Sequence, residues 1–297
     1  MRTEAVSNGF PGKKAKTALT FATPATFHDS KNRVAHSGFM KRSVGSLAYF
    51  GLACLLLGGV AEAWAAERKV LVYTRNFVTN GTGYVHDNIQ ASVEAIKKMG
   101  VESGFAVEVS DDPKIFTDAT LKPFSALIFS NSNNEAFEDD AQRGAFKRYI
   151  QGGGGFAGIH SASGSERDWP YFWSVLGGKF VRHPRFQKFV VRVADPKHPA
   201  TVNLPKTFEW EDECYYTDHL NADIHPLLVT DPSKLDDPQK ATYPGDRFGD
   251  ALPLAWYQKF DGGREFYCAL GHSKEAYANP ILYKHLLGGI LWILGKD

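Results

Sequence analysis

Cysteine is scarce: three in 297 residues, with no Cys-x-x-Cys pair. A disulfide framework is therefore excluded, and so is a cysteine-ligated zinc module. His-Glu-x-x-His, Gly-x-Ser-x-Gly and a glycine-rich phosphate loop followed by Lys and Ser/Thr are also missing, which removes zincin, α/β-hydrolase and P-loop chemistry. Nor is there an excess of charge of one sign. Lys and Arg number 34 against 33 Asp and Glu, so no basic stripe is present to displace counterions from nucleic acid. No apolar run reaches the ~20 residues that span a bilayer. What the chain has in quantity is apolar and aromatic side chain, with 21 Phe and 12 Tyr in a sequence that is 43% hydrophobic. That is a globular composition, long enough for one large domain or two small ones.

The longest apolar stretch, residues 44–60, follows Lys41 and Arg42 and precedes the small-residue sites Ala61-Glu62-Ala63 and Ala63-Trp64-Ala65. This order is that of a secretory signal peptide, assigned to residues 40–65 with cleavage before or near Ala66. Residues 1–39 then read as an over-extended start ahead of Met40, and residues 66–297 as a single domain. The competing reading is a cytosolic chain with a buried apolar helix. The expected location is exported, periplasmic or secreted, with no membrane association after cleavage. Residues 66–297 carry 26 Lys and Arg against 30 Asp and Glu, a net charge of −4. Their two cysteines, Cys214 and Cys268, can pair in an oxidising compartment or remain packed free thiols.

The order of elements predicts an α/β fold. Residues 69–74, 105–109, 124–129 and 156–160 read as strands, with helical spacing after the first (Ile89, Val93, Ile96) and over residues 138–150. This is the rhythm of an open, mostly parallel sheet with crossover helices. From residue 186 the chain is β-rich, with strands expected at 189–193, 209–217, 226–229, 254–260 and 265–270 and a long loop at 230–250. Residues 280–294 are apolar on nearly every face and predict a sandwiched helix or a homo-oligomer contact.

Four places put ligand-type side chains at strand ends. His86 opens the first helix, His160 follows a glycine-rich strand, Glu211, Asp212 and Glu213 follow Trp210, and His272 follows Ala269-Leu270-Gly271. Each imidazole alone is as readily a structural group. An α/β sheet, however, brings its strand ends to one edge, where they can converge. Imidazoles with a carboxylate suit a divalent metal such as zinc, manganese or nickel, and equally suit proton transfer without metal. His86, His160, Glu213 and His272 are thus the candidate catalytic residues and the candidate metal ligands. The glycines at 152–155 precede a strand instead of linking strand to helix, so no nucleotide cofactor is expected. Residues 180–186, with Arg182, His183 and Arg185, read as a solvated charged turn, with a loop reaching over the pocket as the alternative.

The stretch Gly152-Gly153-Gly154-Gly155-Phe156-Ala157-Gly158-Ile159-His160-Ser161-Ala162, together with Tyr84-Val85-His86-Asp87-Asn88-Ile89, Trp210-Glu211-Asp212-Glu213-Cys214-Tyr215, Pro253-Leu254-Ala255-Trp256 and Phe266-Tyr267-Cys268-Ala269-Leu270-Gly271-His272, resembles the trehalose-utilisation (ThuA-like) family over residues 68–295. The resemblance implies a flavodoxin-like sheet of the class I glutamine amidotransferase type and a link to sugar catabolism. In amidotransferases the strand-to-helix turn carries a nucleophilic cysteine. His160 stands there in this chain, so glutaminase chemistry lacks its nucleophile. Cys214 departs from the family's usual aliphatic residue and does not replace it. A carbohydrate partner suits the aromatic supply, and Tyr84, Asp87, Asn133, Trp210, Tyr215 and Trp256 are the candidate substrate-binding residues, with Asn88, Asn131 and Glu135 as further hydroxyl partners. The expected function is an exported carbohydrate-processing enzyme, a hydrolase, isomerase or lyase acting on a sugar, glycoside or keto-sugar. A non-catalytic sugar-binding module on the same fold is the alternative.

Overall fold

The computed structural model describes residues 68–77, 84–239 and 250–295. The signal-peptide assignment, the start at Met40 and residues 240–249 of the expected loop at 230–250 lie outside them. The first half follows the expected rhythm: β1 (Arg68–Tyr73), α1 (Ile89–Ser103), β2 (Phe105–Ser110), α2 (Asp118–Leu121), β3 (Ala126–Ser130), α3 (Asp140–Gln151) and β4 (Gly155–Ile159). There follow α4 (Pro170–Leu176), β5 (Lys179–Arg182), β6 (Gln187–Val193), β7 (Thr207–Asp212), β8 (Tyr216–Asp218), β9 (His225–Thr230), β10 (Leu252–Phe260), β11 (Gly263–Cys268) and α5 (Pro280–Ile293).

Nine strands form one sheet in the order β2-β1-β3-β4-β11-β10-β9-β6-β7. β2, β1, β3, β4 and β11 run parallel, and β10, β9, β6 and β7 continue antiparallel. The class is α/β, with a parallel half and an antiparallel extension. Strands covered on both faces need apolar side chains at every position, which is why β1 and β3 read as unbroken hydrophobic runs. Val70, Val72, Ala126 and Ile128 pack on one face with Ile96, Met99, Leu286 and Ile290. Leu71, Tyr73, Leu127 and Phe129 pack on the other with Phe146, Phe172 and Val175. Burial of each such side chain contributes roughly 1.5–3 kcal/mol before chain entropy is set against it.

Several expectations are corrected. The strand expected at 209–217 is two strands, broken at residues 213–215, with β8 pairing β5 in a separate ribbon. Residues 180–186 are not a free turn: they begin in β5. Cys214 and Cys268 are both buried free thiols, unpaired with each other. The apolar α5 finds its neighbours inside the domain, with Leu282, Leu286 and Ile290 in the same core as α1. Gly289 allows this close approach, since a Cβ there would sit 2.6 Å from the Phe266 ring. No large apolar residue of α5 is exposed, so within the chain the helix is sandwiched, the first of the two expected arrangements.

Candidate functional site

The register of the parallel half decides what meets at its carboxyl edge. Ile159 pairs with Cys268 across β4 and β11, so the next residues, His160 and Ala269, also face one another. His160 Nδ1 lies 2.7 Å from the Ala269 carbonyl. A carbonyl only accepts, so Nδ1 carries the proton and Nε2 presents its lone pair. His160 has φ 49°, in the left-handed region that β-carbon sterics disfavour. The Tyr267 hydroxyl donates to its carbonyl at 2.9 Å and helps hold that turn.

His86 arrives from the loop between β1 and α1, and its Nε2 lies 3.1 Å from His160 Nε2. Glu213 follows β7. Its Oε2 lies 3.8 Å from His160 Nε2 and 3.1 Å from His272 Nδ1. The latter contact is an ion-pair contact without hydrogen-bond alignment. One ligand atom from each of His86, His160, Glu213 and His272 falls within 4.8 Å of the others. The Tyr215 hydroxyl completes the group, 2.9 Å from His160 Nε2.

The four groups sit in different electrostatic states. Burial pushes His160 down to about 4. Burial, with His160 and His272 facing it, pushes His86 down to about 3, so both rings are neutral near pH 7. His272 moves the other way, raised by the adjacent Glu213 carboxylate. Burial opposes ionisation of Glu213, but His272 and His183 outweigh it and hold the carboxyl below its ordinary value. A neutral imidazole pair thus stands beside a carboxylate–imidazole pair.

His86, Glu213, His272 and Tyr215 open onto a cavity of about 400 Å³ lined also by Tyr84, Asn133, Ser161, Arg167, Phe180 and His183, while His160 is fully buried and outside the lining. Tyr84, Asn133 and Tyr215 are where the sequence placed them. Asn133 is committed, however: its Nδ2 donates to the Tyr84 carbonyl and its Oδ1 accepts from Arg167. Asp87 is exposed and outside the lining. Trp210 and Trp256 lie in the core instead of on the cavity, their indole N–H groups donating to Asp212 Oδ2 and the Leu176 carbonyl. Asn88 and Asn131 are buried supports, Asn88 donating to Asn131 and to the carbonyls of Gly271 and His272. Glu135 lies instead along a larger, more open depression of about 750 Å³ with Arg143 and Glu166, which pair with each other at 2.8 Å.

Sequence reasoning assigned no site role to Ser161, Gly164, Arg167, Phe180 or His183 of the lining, nor to one support. His183 lies with Nε2 3.4 Å from Glu213 Oε1, and its loop is held by the bidentate Arg182–Asp237 pair. Ser161 is buried with its hydroxyl unpartnered; its place directly after His160 was the available signal. Arg167 carried no local signal. The support is Asp212, whose carboxylate accepts from Trp210 Nε1 and from the backbone N–H groups of Glu213, Gly271 and His272.

The fold and site define a protein of the α/β class with an imidazole–carboxylate centre at the carboxyl edge of a largely parallel sheet. The family model described as trehalose utilisation (ThuA) matches residues 69–293, and the chain belongs to that family. A ThuA-like protein from Bacteroides uniformis is 25% identical, with a TM-score of 0.64 over 79% of this chain and 94% of that one. Another from Parabacteroides merdae shares the fold at 18% identity and a TM-score of 0.57, covering 76% and 90%. A cytoplasmic protein from Salmonella typhimurium shares it at 12% identity and 0.53, covering 76% and 98%. No curated protein matches in sequence.

Proposed function

We propose that this chain is an exported carbohydrate-processing enzyme whose reacting centre is a divalent metal held by His86, His160, Glu213 and His272. The observation that carries this is the convergence of their four ligand atoms within 4.8 Å. Two further features fit an ion. His160 Nε2 is fixed as a lone-pair donor by the Ala269 carbonyl behind it, the outer support that metal-binding imidazoles use. Buried polar atoms without hydrogen bonds also gather here, namely His86 Nδ1, His272 Nδ1 and Ser161 Oγ. The ligand set suits zinc, manganese or nickel. Held by these residues, such an ion would supply Lewis-acid polarisation of a substrate oxygen or activation of a water. Around it, Tyr215 sits beside His160 to hold or deliver a proton, and Phe180 on the cavity lining offers apolar surface to a sugar ring. Carbohydrate as substrate class rests on membership of the trehalose-utilisation family and this mixed lining. Export rests on residues 40–65 of the sequence.

A second reading keeps the same residues without metal. It is favoured by the Tyr215 hydroxyl and His86 Nε2 already lying 2.9 and 3.1 Å from His160 Nε2, a short relay suited to proton transfer. Metal analysis of the purified protein decides. Stoichiometric zinc, manganese or nickel, lost in His160→Ala along with turnover of glucosides, disaccharides or their 3-keto forms, is expected. Turnover that survives chelation in a metal-free protein would leave the acid–base reading. Sugar binding indifferent to both changes would sink the enzyme reading altogether.

A further inference from the structure

Arg167 is the single Lys or Arg among the described residues that line the cavity, and it has no counter-charge there. The arginines of neighbouring segments each hold a carboxylate: Arg143 pairs with Glu166 and Arg182 with Asp237, both at 2.8 Å, and Arg185 pairs with Asp236. Among the described residues, Arg167 meets only neutral groups. Its Nε donates to the Gly164 carbonyl at 3.0 Å, its Nη2 donates to Asn133 Oδ1 at 3.2 Å, and its guanidinium lies 5.9 Å from the centre of the Phe180 ring. A guanidinium carries five N–H groups. Two are used by these bonds, and both of those on Nη1 remain for a ligand.

The backbone that carries this side chain is strained. Glu166, immediately before it, has φ 47°, in the left-handed region that β-carbon sterics disfavour. It is held there from several directions: Oε1 accepts the N–H groups of Ala136 and Phe137, and Oε2 accepts Arg143 Nε. Its own N–H donates to the Asn134 carbonyl, and its carbonyl accepts from the Trp169 N–H and Trp173 Nε1. Strain over-determined in this way gathers where the placement of a side chain matters. Gly164 serves the same end, because a Cβ there would lie 2.3 Å from Asn133 Oδ1 and displace the acceptor that fixes Nη2. The guanidinium is thus oriented before any ligand arrives, which lowers the ordering cost of binding.

We infer that Arg167 is a specificity-determining residue that recognises a carboxylate on the substrate, so that the ligand class is an acidic sugar such as a hexuronide. The inference rests on the carbohydrate reading above and narrows it. A carboxylate is planar and presents two oxygens, which match the paired N–H groups of a guanidinium. Arg167 brings one positive charge, equal to that of one carboxylate and short of a phosphate dianion. Glu213, the one carboxylate among the described lining residues, is already in contact with His272 and His183 and leaves the guanidinium to the ligand. Arg167 lines the same cavity as His86, Glu213 and His272, so a sugar held by its carboxylate keeps the rest of its ring in the space they share.

The test is calorimetric titration of the purified protein, Arg167→Gln and Arg167→Lys with methyl glucoside, methyl glucuronide and glucose 6-phosphate. The two glycosides differ only in that a carboxylate replaces the hydroxymethyl group. Arg167 is exposed, and thermal melting checks the fold of each variant. The unaltered protein is expected to bind methyl glucuronide about tenfold more tightly than methyl glucoside, and to lose part of that preference in about 1 M salt. Arg167→Gln should abolish the preference while affinity for methyl glucoside stays within about twofold. Arg167→Lys should keep part of it, since the charge remains but the fork is lost. Equal binding of the two glycosides by the unaltered protein, or a preference that survives Arg167→Gln, would overturn the assignment and leave the carbohydrate reading standing. Tighter binding of glucose 6-phosphate than of methyl glucuronide would overturn the carboxylate as the recognised group. Failure of all three to bind the unaltered protein would overturn both readings.

Discussion

Asp212 holds His272 without touching its ring: Oδ1 accepts the His272 backbone N–H at 3.2 Å, while Oδ2 accepts that of Gly271 at 2.8 Å. This one buried carboxylate joins the end of β7 to the segment after β11 and thereby sets Glu213 against the His272 imidazole. Gly271 can enter the arrangement because its φ of 119° is open to glycine.

Asp212→Asn should loosen that junction. Four N–H groups now converge on two carboxylate oxygens, and an amide turns a donor toward two of them whichever way it is flipped. Unfolding free energy is expected to fall by about 1–3 kcal/mol, and metal affinity by roughly 10–100-fold. Denaturant melts and metal titration read the two effects. Unchanged metal affinity in a destabilised variant would confine Asp212 to a structural role.

Tyr215→Phe separates the hydroxyl from the ring. On the metal reading the hydroxyl competes for His160 Nε2, so its removal should leave metal affinity equal or raise it by up to about tenfold. Turnover should fall at least tenfold if the hydroxyl moves a proton in the reaction. Loss of metal together with the hydroxyl would contradict this arrangement.

Glu265 gives stability a pH dependence away from the site. It is buried in β11, with Oε1 lacking a partner and Oε2 accepting from the Phe260 N–H. Burial raises its carboxyl from 4.5 to about 8. The folded chain therefore keeps a proton that the unfolded chain releases, and the stability that this group supports is full below pH 4.5 and declines as pH rises to about 8. The slope cannot exceed roughly 1.4 kcal/mol per pH unit for one group. Glu265→Gln should flatten the decline and melt higher than the unaltered protein at pH 8, as differential scanning calorimetry across pH 5–9 would show.

The cysteines give a simple check on the core. Both are buried and free, and burial raises both thiols. A protein of residues 66–297 should show no thiol reacting with a disulfide reagent when native and two when denatured. Its melting temperature should be indifferent to reductant. A reductant-sensitive melt would mean that Cys214 and Cys268 meet after all.

Where one residue's neighbours in sequence also determine its neighbours in space, the fold was legible. β1, β3 and β4 are short apolar runs whose burial on both faces leaves no other pattern, and His86, His160 and His272 each follow or closely approach a strand end. The antiparallel half was harder. β5 has four residues and pairs with β8, more than thirty positions away, so nothing local distinguishes it from a charged turn. His183 was accordingly named only as part of that loop and not as a site residue. The break at residues 213–215 arises from Asp212 bonding to residues after β11, a long-range demand that aromatic alternation concealed. Trp210 and Trp256 showed the opposite failure: both have the chemistry of a sugar platform, but their indole N–H groups are satisfied inside the core.

The strand at the middle of the sheet is nearly the last to be made. β11 lies between β4 and β10, and the bond from His160 to Ala269 that sets the tautomer closes a separation of 109 positions. While the chain is being synthesised, β4 lacks one neighbour and the two halves of the sheet have no common strand until residues 263–268 emerge. β2, β1, β3 and β4 can pair among themselves, but the edge of β4 that carries His160 waits for its last partner. Closing so long a loop is a slow, late event, and the imidazole–carboxylate centre is complete only once His272 has followed β11 into place.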